Sequence, residues 1–118
     1  MSGKVSGRPM ELRFIYTTLP DLKVAEDIAR VLVGEGLAAC VNLMPGLRSV
    51  YEWEGRIETS DEIAAYIKTA ADRAAAVRAR LAELHPYEVP AILTLPIEAV
   101  NEDYGAWALR QTETAGRP

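Results

Sequence analysis

The sequence predicts a single α+β domain in which helices cover one face of an antiparallel sheet. Short stretches of alternating apolar and polar residues indicate half-buried strands, whereas two longer stretches repeat apolar residues every three or four positions, as amphipathic helices do. The order of these stretches is β-α-β-β-α-β, followed by one more short helix. A chain of 118 residues with 49% apolar residues is long enough for one domain with its own core.

The first strand and the first helix are predicted from residues 11–36. "ELRFIYTT" (11–18) alternates between two sets of side chains, which is typical of a strand. Asp21 precedes a stretch whose apolar residues recur at helical spacing, so it is a good candidate for the helix N-cap. Gly34 and Gly36 follow the last apolar repeat and are expected to end the helix.

A long β-hairpin is predicted next. Residues 37–58 are predicted as a strand whose pattern is interrupted by Pro45 and Gly46, which is typical of a β-bulge at a sheet edge. "WEGR" then turns the chain, and "DEIAAYIKT" (61–69) alternates again. The two stretches therefore form the two long arms of one hairpin.

The second half of the chain is predicted as helix, strand, helix. "AADRAAAVRARLAELH" (70–85) is rich in alanine, the best helix former, and Pro86 stops it because proline disfavours helical backbone in the residue before it. "AILTLPI" (91–97) is the fourth strand, and residues 101–112 form a C-terminal helix with Asn101 as its cap. The complete order is that of a ferredoxin-like βαββαβ sandwich with a C-terminal helix.

One face of the predicted sheet is left without helices. Alternation within residues 61–69 turns Ile63, Ala65 and Ile67 to one face of the strand. The other face carries Glu62, Ala64, Tyr66 and Lys68. Aromatic residues are the candidates to cover the second face, namely Phe14, Tyr16, Tyr51, Trp53, Tyr66, Tyr104 and Trp107. A domain that leaves an apolar sheet face open usually meets another copy of itself, so we expect an oligomer.

Composition argues against several classes of protein. A net charge of −4 and a pI near 5.0 disfavour nucleic acid as a partner, because phosphate binding needs a basic face. One cysteine, Cys40, fits a reducing compartment, and no apolar run approaches the roughly 20 residues of a membrane helix. We therefore expect a cytoplasmic protein with a folded domain at 11–112 and tails at 1–10 and 113–118.

Several motifs resemble the CutA family of divalent-cation-tolerance proteins. They are "AACVNLMPGLRSVYEWEGRI", "EIAAYIKT", "HPYEVPAILTLPI" and "YGAW", in the family's order, and the resemblance covers residues 12–111. It implies a ferredoxin-like subunit with long arms and a homotrimer in which neighbouring sheets meet edge to edge. It also implies an association with copper and other divalent cations, no established enzymatic reaction, and, through an animal member linked to acetylcholinesterase, a protein partner.

Three positions depart from the family pattern. Relatives commonly carry an acidic residue where this chain has Ala91, which removes one candidate carboxylate ligand from the "HPYE" segment. They also commonly carry a glycine near Val100 and a bulky apolar residue at Gly105. These last two differences concern turn geometry and packing.

His85 is the only histidine and has two interpretations. As a helix-end residue it would interact with the helix dipole and with the last carbonyl groups. As a metal ligand, neutral imidazole suits copper, zinc and nickel. With the resemblance added, we predict a weak Cu²⁺ site at His85 near a subunit boundary, with Glu88 and Cys40 as further candidate ligands. The alternatives are a solvated loop carboxylate for Glu88 and a small buried apolar residue for Cys40.

A ligand cleft or subunit interface is predicted around a second set of residues. Its candidates are Tyr51, Trp53, Lys68, Tyr87, Tyr104 and Trp107. Core or interface packing is the main interpretation for Tyr51 and Trp53, and stacking on a ligand is the alternative. Lys68 is either an exposed amine on a packed stem, a partner of Glu88, or part of an anion site.

Three functions remain open on the sequence alone. The first is a trimeric divalent-cation tolerance protein, the second a small-ligand sensor like the nitrogen-regulatory PII proteins, and the third a rigid trimeric scaffold for a protein partner. PII-type sensors carry a long loop between the second and third strands, whereas the turn here is short and acidic. The sequence lacks phosphate-loop, zinc-protease and nucleophile-elbow motifs, and we expect no catalytic residues.

Overall fold

The computed structural model describes residues 7–113, which form one four-stranded antiparallel sheet with helices. The elements are β1 (Leu12–Leu19), α1 (Leu22–Gly34), β2 (Cys40–Trp53), β3 (Arg56–Ala70), a 3-10 turn (Ala71–Arg73), α2 (Ala74–Leu84), β4 (Leu93–Pro96) and α3 (Glu102–Gln111). The order of strands in the sheet is β2-β3-β1-β4. The predicted ferredoxin-like α+β order with a C-terminal helix is confirmed.

Strand β1 lies in the middle of the sheet, and its side chains alternate between two different faces. Ile15 and Leu19 are fully buried in the main core with α1 and α2. Phe14 and Tyr16 lie on the other face, where both rings contact Tyr66 at centroid distances of 5.9 and 5.2 Å. We call this second, aromatic face the open face. The main core consists of Ile15, Leu19, Ala25, Ile28, Leu32, Ala38, Ile63, Ala65, Ile67, Ala74, Val77 and Leu81.

Strands β2 and β3 form the predicted hairpin with its bulge. The register shifts between Met44 and Leu47, where Pro45 and Gly46 interrupt the ladder. The two strands are joined by Glu54 and Gly55 alone, whose φ angles of 52° and 80° are those of a tight hairpin turn with two left-handed residues. The short connection matches the prediction and gives the chain no long loop at this place.

The caps of α1 and α3 differ in how they follow the prediction. Asp21 caps α1 as expected, because its Oδ1 accepts a hydrogen bond from the Val24 N–H at 2.9 Å. Gly36 follows α1 with φ of +72°, the left-handed conformation that ends many helices. Asn101 occupies the N-cap position of α3, but its side chain makes no capping bond, and only its carbonyl accepts the Gly105 N–H.

The junction between β3 and α2 corrects the predicted helix at 70–85. Strand β3 continues to Ala70 because Ala70 pairs with Leu12 of β1. A 3-10 turn follows, and α2 starts only after it. The end of α2 at Leu84 agrees with the stop expected from Pro86.

The edge strands are shorter than predicted. Strand β2 begins at residue 40 instead of 37, and β4 covers 93–96 instead of 91–97. Strand β4 pairs only with residues 13–16 of β1, so its length is set by this contact and not by its apolar pattern. Strand β1 itself lies one residue later than the predicted 11–18.

A second, smaller core lies on the open face beneath α3. Residues 7–10, predicted as part of a tail, are described and pack there through Arg8 and Met10, so the folded unit extends back beyond residue 11. The core consists of Leu12, Ala39, Ala70, Ala108 and Leu109, with Met10, Ile97, Val100 and Tyr104 packed against it. Residues 1–6 and 114–118 of the predicted tails lie outside the described residues.

The subunit is elongated because the hairpin projects from the domain. Its extents are 55 × 30 × 21 Å and its radius of gyration is 15.5 Å, whereas a compact domain of this length has about 13.5 Å. No helix within residues 7–113 is both long enough and apolar enough to cross a membrane.

Candidate functional site

His85 follows α2, yet its ring turns toward β1. Its backbone N–H donates to the Leu81 carbonyl at 2.9 Å and so ends the helix. Its ring Nε2 lies 2.9 Å from Thr17 Oγ1 and 3.0 Å from the Thr18 carbonyl oxygen, and its Nδ1 accepts the Tyr87 N–H at 3.2 Å. The ring is 8% exposed. The hydrogen bonds of the ring therefore go to β1 and to the following loop. The helix-end interpretation expected the ring to interact with the last carbonyl groups of α2, and it does not.

The tautomer of His85 follows from these partners. A backbone N–H can only donate, so Nδ1 carries a lone pair and the proton of the neutral ring is on Nε2, which donates to the Thr18 carbonyl. Burial lowers the pKa of His85, although the bond to the Thr18 carbonyl and the charge of Glu62 oppose this. The ring is therefore neutral at pH 7, which is the form that binds metal ions.

The carboxylate of Glu62 is linked to the loop after His85 through the hydroxyl of Tyr87. Ser49 Oγ donates to its Oε1 at 2.5 Å, and the Tyr87 hydroxyl donates to its Oε2 at 2.6 Å. Partial burial works to raise the pKa of Glu62, but the hydrogen bonds from Ser49, Tyr87 and Thr18 outweigh burial and lower it. The pKa of Tyr87 is raised, mainly because the phenol is partly buried and also because it donates a hydrogen bond to Glu62. At neutral pH the pair is therefore a carboxylate and a protonated phenol.

We call Thr18, Ser49, Glu62, His85 and Tyr87 the His85 cluster. Three strands and the loop after α2 each contribute to it, and the rings of His85 and Tyr87 lie 4.9 Å apart. The cluster offers an imidazole nitrogen, a carboxylate and a phenol, which are donor groups for a cation.

The bulge in β2 places Ser49 in the cluster. Before the bulge Met44 pairs with Ala64, and after it Leu47 pairs with Glu62, so the ladder has shifted by one residue. A shift of one residue moves every following side chain to the opposite face of a strand. Ser49 consequently lies on the open face with Glu62, where an unbroken strand would have turned it away.

The predicted metal ligands are not brought together within one chain. Glu88 is exposed, and Cys40 is a partly buried thiol opposite Lys68 in the β2–β3 ladder. Thr17, which contacts the His85 ring, pairs with Ala65 of β3, whereas Cys40 pairs with Lys68, three residues further along the same strand. Three residues of a strand span roughly 10 Å, so Cys40 lies far from the His85 ring. Among the described residues no group of three or more His, Cys, Asp or Glu side chains could hold a metal ion.

The predicted cleft residues fall into two places. Tyr51 lies two residues after Ser49 on β2 and therefore on the same face of the sheet as the His85 cluster. Near α3, Lys68 Nζ lies 5.4 Å above the ring of Tyr104, which also packs at 5.4 Å against Trp107. Trp53 is half exposed near the hairpin tip. Lys68 therefore contacts an aromatic ring, whereas the sequence left open an exposed amine, a pairing with Glu88 and an anion site.

Sequence reasoning missed three members of the cluster. Glu62 carried a usable signal, because the alternation of 61–69 already placed it on the face of Tyr66. A carboxylate on an aromatic sheet face requires partners. Ser49 and Thr18 carried no such signal, because their contacts depend on the bulge and on the register of β1.

Known proteins are similar to this chain over most of its length. Residues 13–111 match the family model described as CutA1 divalent ion tolerance protein. A Pyrococcus horikoshii protein described as divalent-cation tolerance protein CutA is 43% identical over 99 residues, which are 84% of this chain and 96% of the relative. A mouse protein described as Protein CutA is 41% identical over 106 residues, 90% of this chain and 60% of the longer mouse chain.

A solved structure shows the same fold. The structure described as the periplasmic divalent cation tolerance protein CutA from Archaeoglobus fulgidus has a TM-score of 0.83 and 39% identity, and covers 86% of this chain and 99% of its own. The names of these relatives describe cation tolerance and no enzymatic reaction. This chain belongs to the CutA1 family of divalent ion tolerance proteins.

Proposed function

We propose that this protein is a homotrimer that binds divalent cations, with Cu²⁺ preferred, at the His85 cluster. The observation that carries the proposal is the bond from His85 Nε2–H to the Thr18 carbonyl. Metal-binding histidines usually donate their second ring nitrogen to a carbonyl or carboxylate, which fixes the ring and presents the other lone pair. The names of the relatives support the class of ligand, and copper ranks highest in the divalent affinity order.

Cation binding requires a small rearrangement of the cluster. The lone pair of His85 Nδ1 faces the Tyr87 N–H at 3.2 Å, the long end of the hydrogen-bond range. A cation at this nitrogen would replace that bond, and Glu62 would be the second donor. Water or a neighbouring subunit has to complete the coordination, because a metal site needs three or four ligands. We therefore expect weak binding in which Cys40 and Glu88 of the same chain take little part.

Exposed apolar surface on the hairpin supports the trimer. The residues concerned are Met44, Val50, Tyr51, Trp53 and Ile57, and the largest exposure is 78% for Ile57. Strand β2 is also a long edge of the sheet, and β4 is a short edge with Leu93 and Leu95 exposed on it. Open edges of this kind are an aggregation hazard unless another strand covers them, and pairing between copies would cover both.

The trimer gives an expected mass and a point of disruption. Light scattering should give three times the chain mass of 12.9 kDa at micromolar concentration. Val50→Lys on the hairpin should lower this mass, because it would bury an unpaired charge at the interface. Val33→Lys is the matched control, since Val33 is an exposed apolar residue of α1 and not of the hairpin strands, and should leave the mass unchanged. A wild-type mass of one chain would contradict the assembly.

Copper titration tests the cation site. Calorimetry with Cu²⁺ at pH 7 should show at least tenfold weaker binding for His85→Ala and Glu62→Gln, because each removes one donor. Glu83→Gln is the control, since Glu83 lies on exposed α2 surface beside Arg80. Cys40→Ser separates any contribution of the thiol. Equal affinity in all variants, or no binding at millimolar Cu²⁺, would refute the site while leaving the family assignment untouched.

We also propose a cytoplasmic location. The partly buried free thiol of Cys40 supports a reducing compartment. The name of the Archaeoglobus relative gives the periplasm as the alternative, and cell fractionation distinguishes the two.

A further inference from the structure

We propose that residues 7–11 act as a strap that holds α3 on the open face of the sheet, so that strap and helix are ordered or released together. The match to the family model starts at residue 13. The strap precedes that match and lies outside the proposed cation site.

Arg8 bonds to two separate parts of the fold. Its Nε and Nη2 donate to the two carboxylate oxygens of Asp72 at 2.8 and 2.7 Å, and its Nη1 donates to the Leu109 carbonyl at 2.7 Å. A further bond runs from Nη2 to Thr112 Oγ1 at 3.2 Å. Its side chain is 13% exposed. Bidentate, charge-assisted bonds of this kind are among the strongest that proteins form, and here they link the end of α3 to the turn before α2.

The position of Arg8 also suits the charge of its partners. The carbonyl groups at the end of a helix carry partial negative charge, which a cation stabilises. The hydrogen bond from Arg8 lowers the pKa of Asp72 against the opposing effect of burial, so the ion pair persists at neutral pH. A backbone bond also joins the strap to the 3-10 turn before α2, because the Ala71 N–H donates to the Glu11 carbonyl at 2.8 Å.

Met10 and Gly105 fit each other. A Cβ atom at position 105 would overlap Met10 Sδ and lie 3.1 Å from Val100 Cγ1. Because Gly105 has no side chain, the thioether of Met10 fills the space where a Cβ atom would lie. The strap thus contacts α3 twice, at the middle of the helix through Met10 and at its end through Arg8.

Helix α3 has little stability of its own. It has ten residues, whereas isolated helices shorter than about 12–15 residues are marginal in water. Gly105 in its middle weakens it further, and Asn101 supplies no side-chain cap. Its buried residues are only Gly105, Ala108 and Leu109. Loss of the strap should therefore free α3 and uncover the apolar surface beneath it, which consists of Leu12, Ala39 and Ala70.

Hydrogen exchange on the full chain tests the strap. Arg8→Ala should speed exchange of the α3 amides by roughly tenfold or more, because it removes several charge-assisted bonds, and should leave the α2 amides unchanged. Arg48→Ala is the matched control, since Arg48 forms only an exposed pair with Asp61, and should change neither helix. Unchanged α3 exchange in Arg8→Ala, or equal acceleration of α2 and α3, would overturn the proposal.

A second pair of variants tests the contact between Met10 and Gly105. In the otherwise wild-type chain Gly105→Ala should speed α3 exchange, because the new methyl group displaces Met10. In a Met10→Ala background the same substitution should slow it, because alanine favours the helix and only the Val100 side chain, 3.1 Å away, then has to shift slightly. The sign of the effect therefore depends on the strap. The same sign in both backgrounds would show that α3 does not depend on Met10.

Discussion

Leu81→Ala is expected to lower the free energy of unfolding by about 2–5 kcal/mol. Leu81 is fully buried between α2 and the sheet, so the shorter side chain leaves a cavity in the main core. The Leu81 carbonyl also accepts the His85 N–H, so the cavity would lie one helical turn before the His85 cluster. Urea unfolding followed by circular dichroism measures the effect, at one fixed protein concentration because assembly adds to apparent stability.

Leu22→Ala is the matched control for this substitution. Leu22 is the first residue of α1 and is 42% exposed, so the same change should cost less than about 1 kcal/mol. A cost for Leu81→Ala no larger than that for Leu22→Ala would contradict the assignment of the core.

Local signals made the hairpin predictable. Pro45 and Gly46 mark the bulge, and Gly55 lies at a turn position that needs positive φ. These residues act through their own backbone preferences, so the prediction does not depend on distant contacts. The same reasoning identified Asp21 as a cap, since a cap bond reaches only three residues along the chain.

Distant contacts account for the features that sequence reasoning missed. The alanine-rich stretch at 70–85 prefers helix, yet pairing with β1 keeps Ala70 in a strand, so tertiary contact overrides propensity. Arg8 belongs to a polar segment with no periodicity, and its partners lie 64 to 104 residues away.

The His85 cluster was predictable only in part. His85 and Tyr87 are neighbours in a proline-bounded segment, and that proximity was visible in the sequence. Glu62 joins Tyr87 across 25 residues, and Ser49 reaches Glu62 only because one bulge shifts the ladder. The residue types were therefore available from the sequence, whereas their association depends on sheet register, which a single sequence does not specify.

His85→Leu is expected to lower the free energy of unfolding of the metal-free protein by about 2–4 kcal/mol at pH 7. Leucine fills similar space, but it leaves the buried Thr17 hydroxyl, the Thr18 carbonyl and the Tyr87 N–H without their ring partners. Chemical unfolding in the presence of a chelator measures the loss. Thr94→Val is a control, because the Thr94 hydroxyl has an exposed partner in Arg78 and should cost little.

The difference between wild type and His85→Leu should shrink as the pH falls below 6.5. Burial lowers the pKa of His85 in the folded state below its ordinary value of 6.5, so below pH 6.5 the unfolded chain binds a proton that the folded chain resists. Wild type therefore keeps the full contribution of His85 above pH 6.5 and loses it as the pH falls through the folded-state pKa, whereas leucine has nothing to titrate. Glu62, with a pKa below 4.5, affects stability only in a more acidic range, so unfolding measured between pH 5 and 8 isolates His85. A difference that stays constant would mean that folding does not lower the pKa of His85, and one that grows toward pH 5 would mean that the folded protein stabilises the imidazolium. Either result would contradict the burial of a neutral ring.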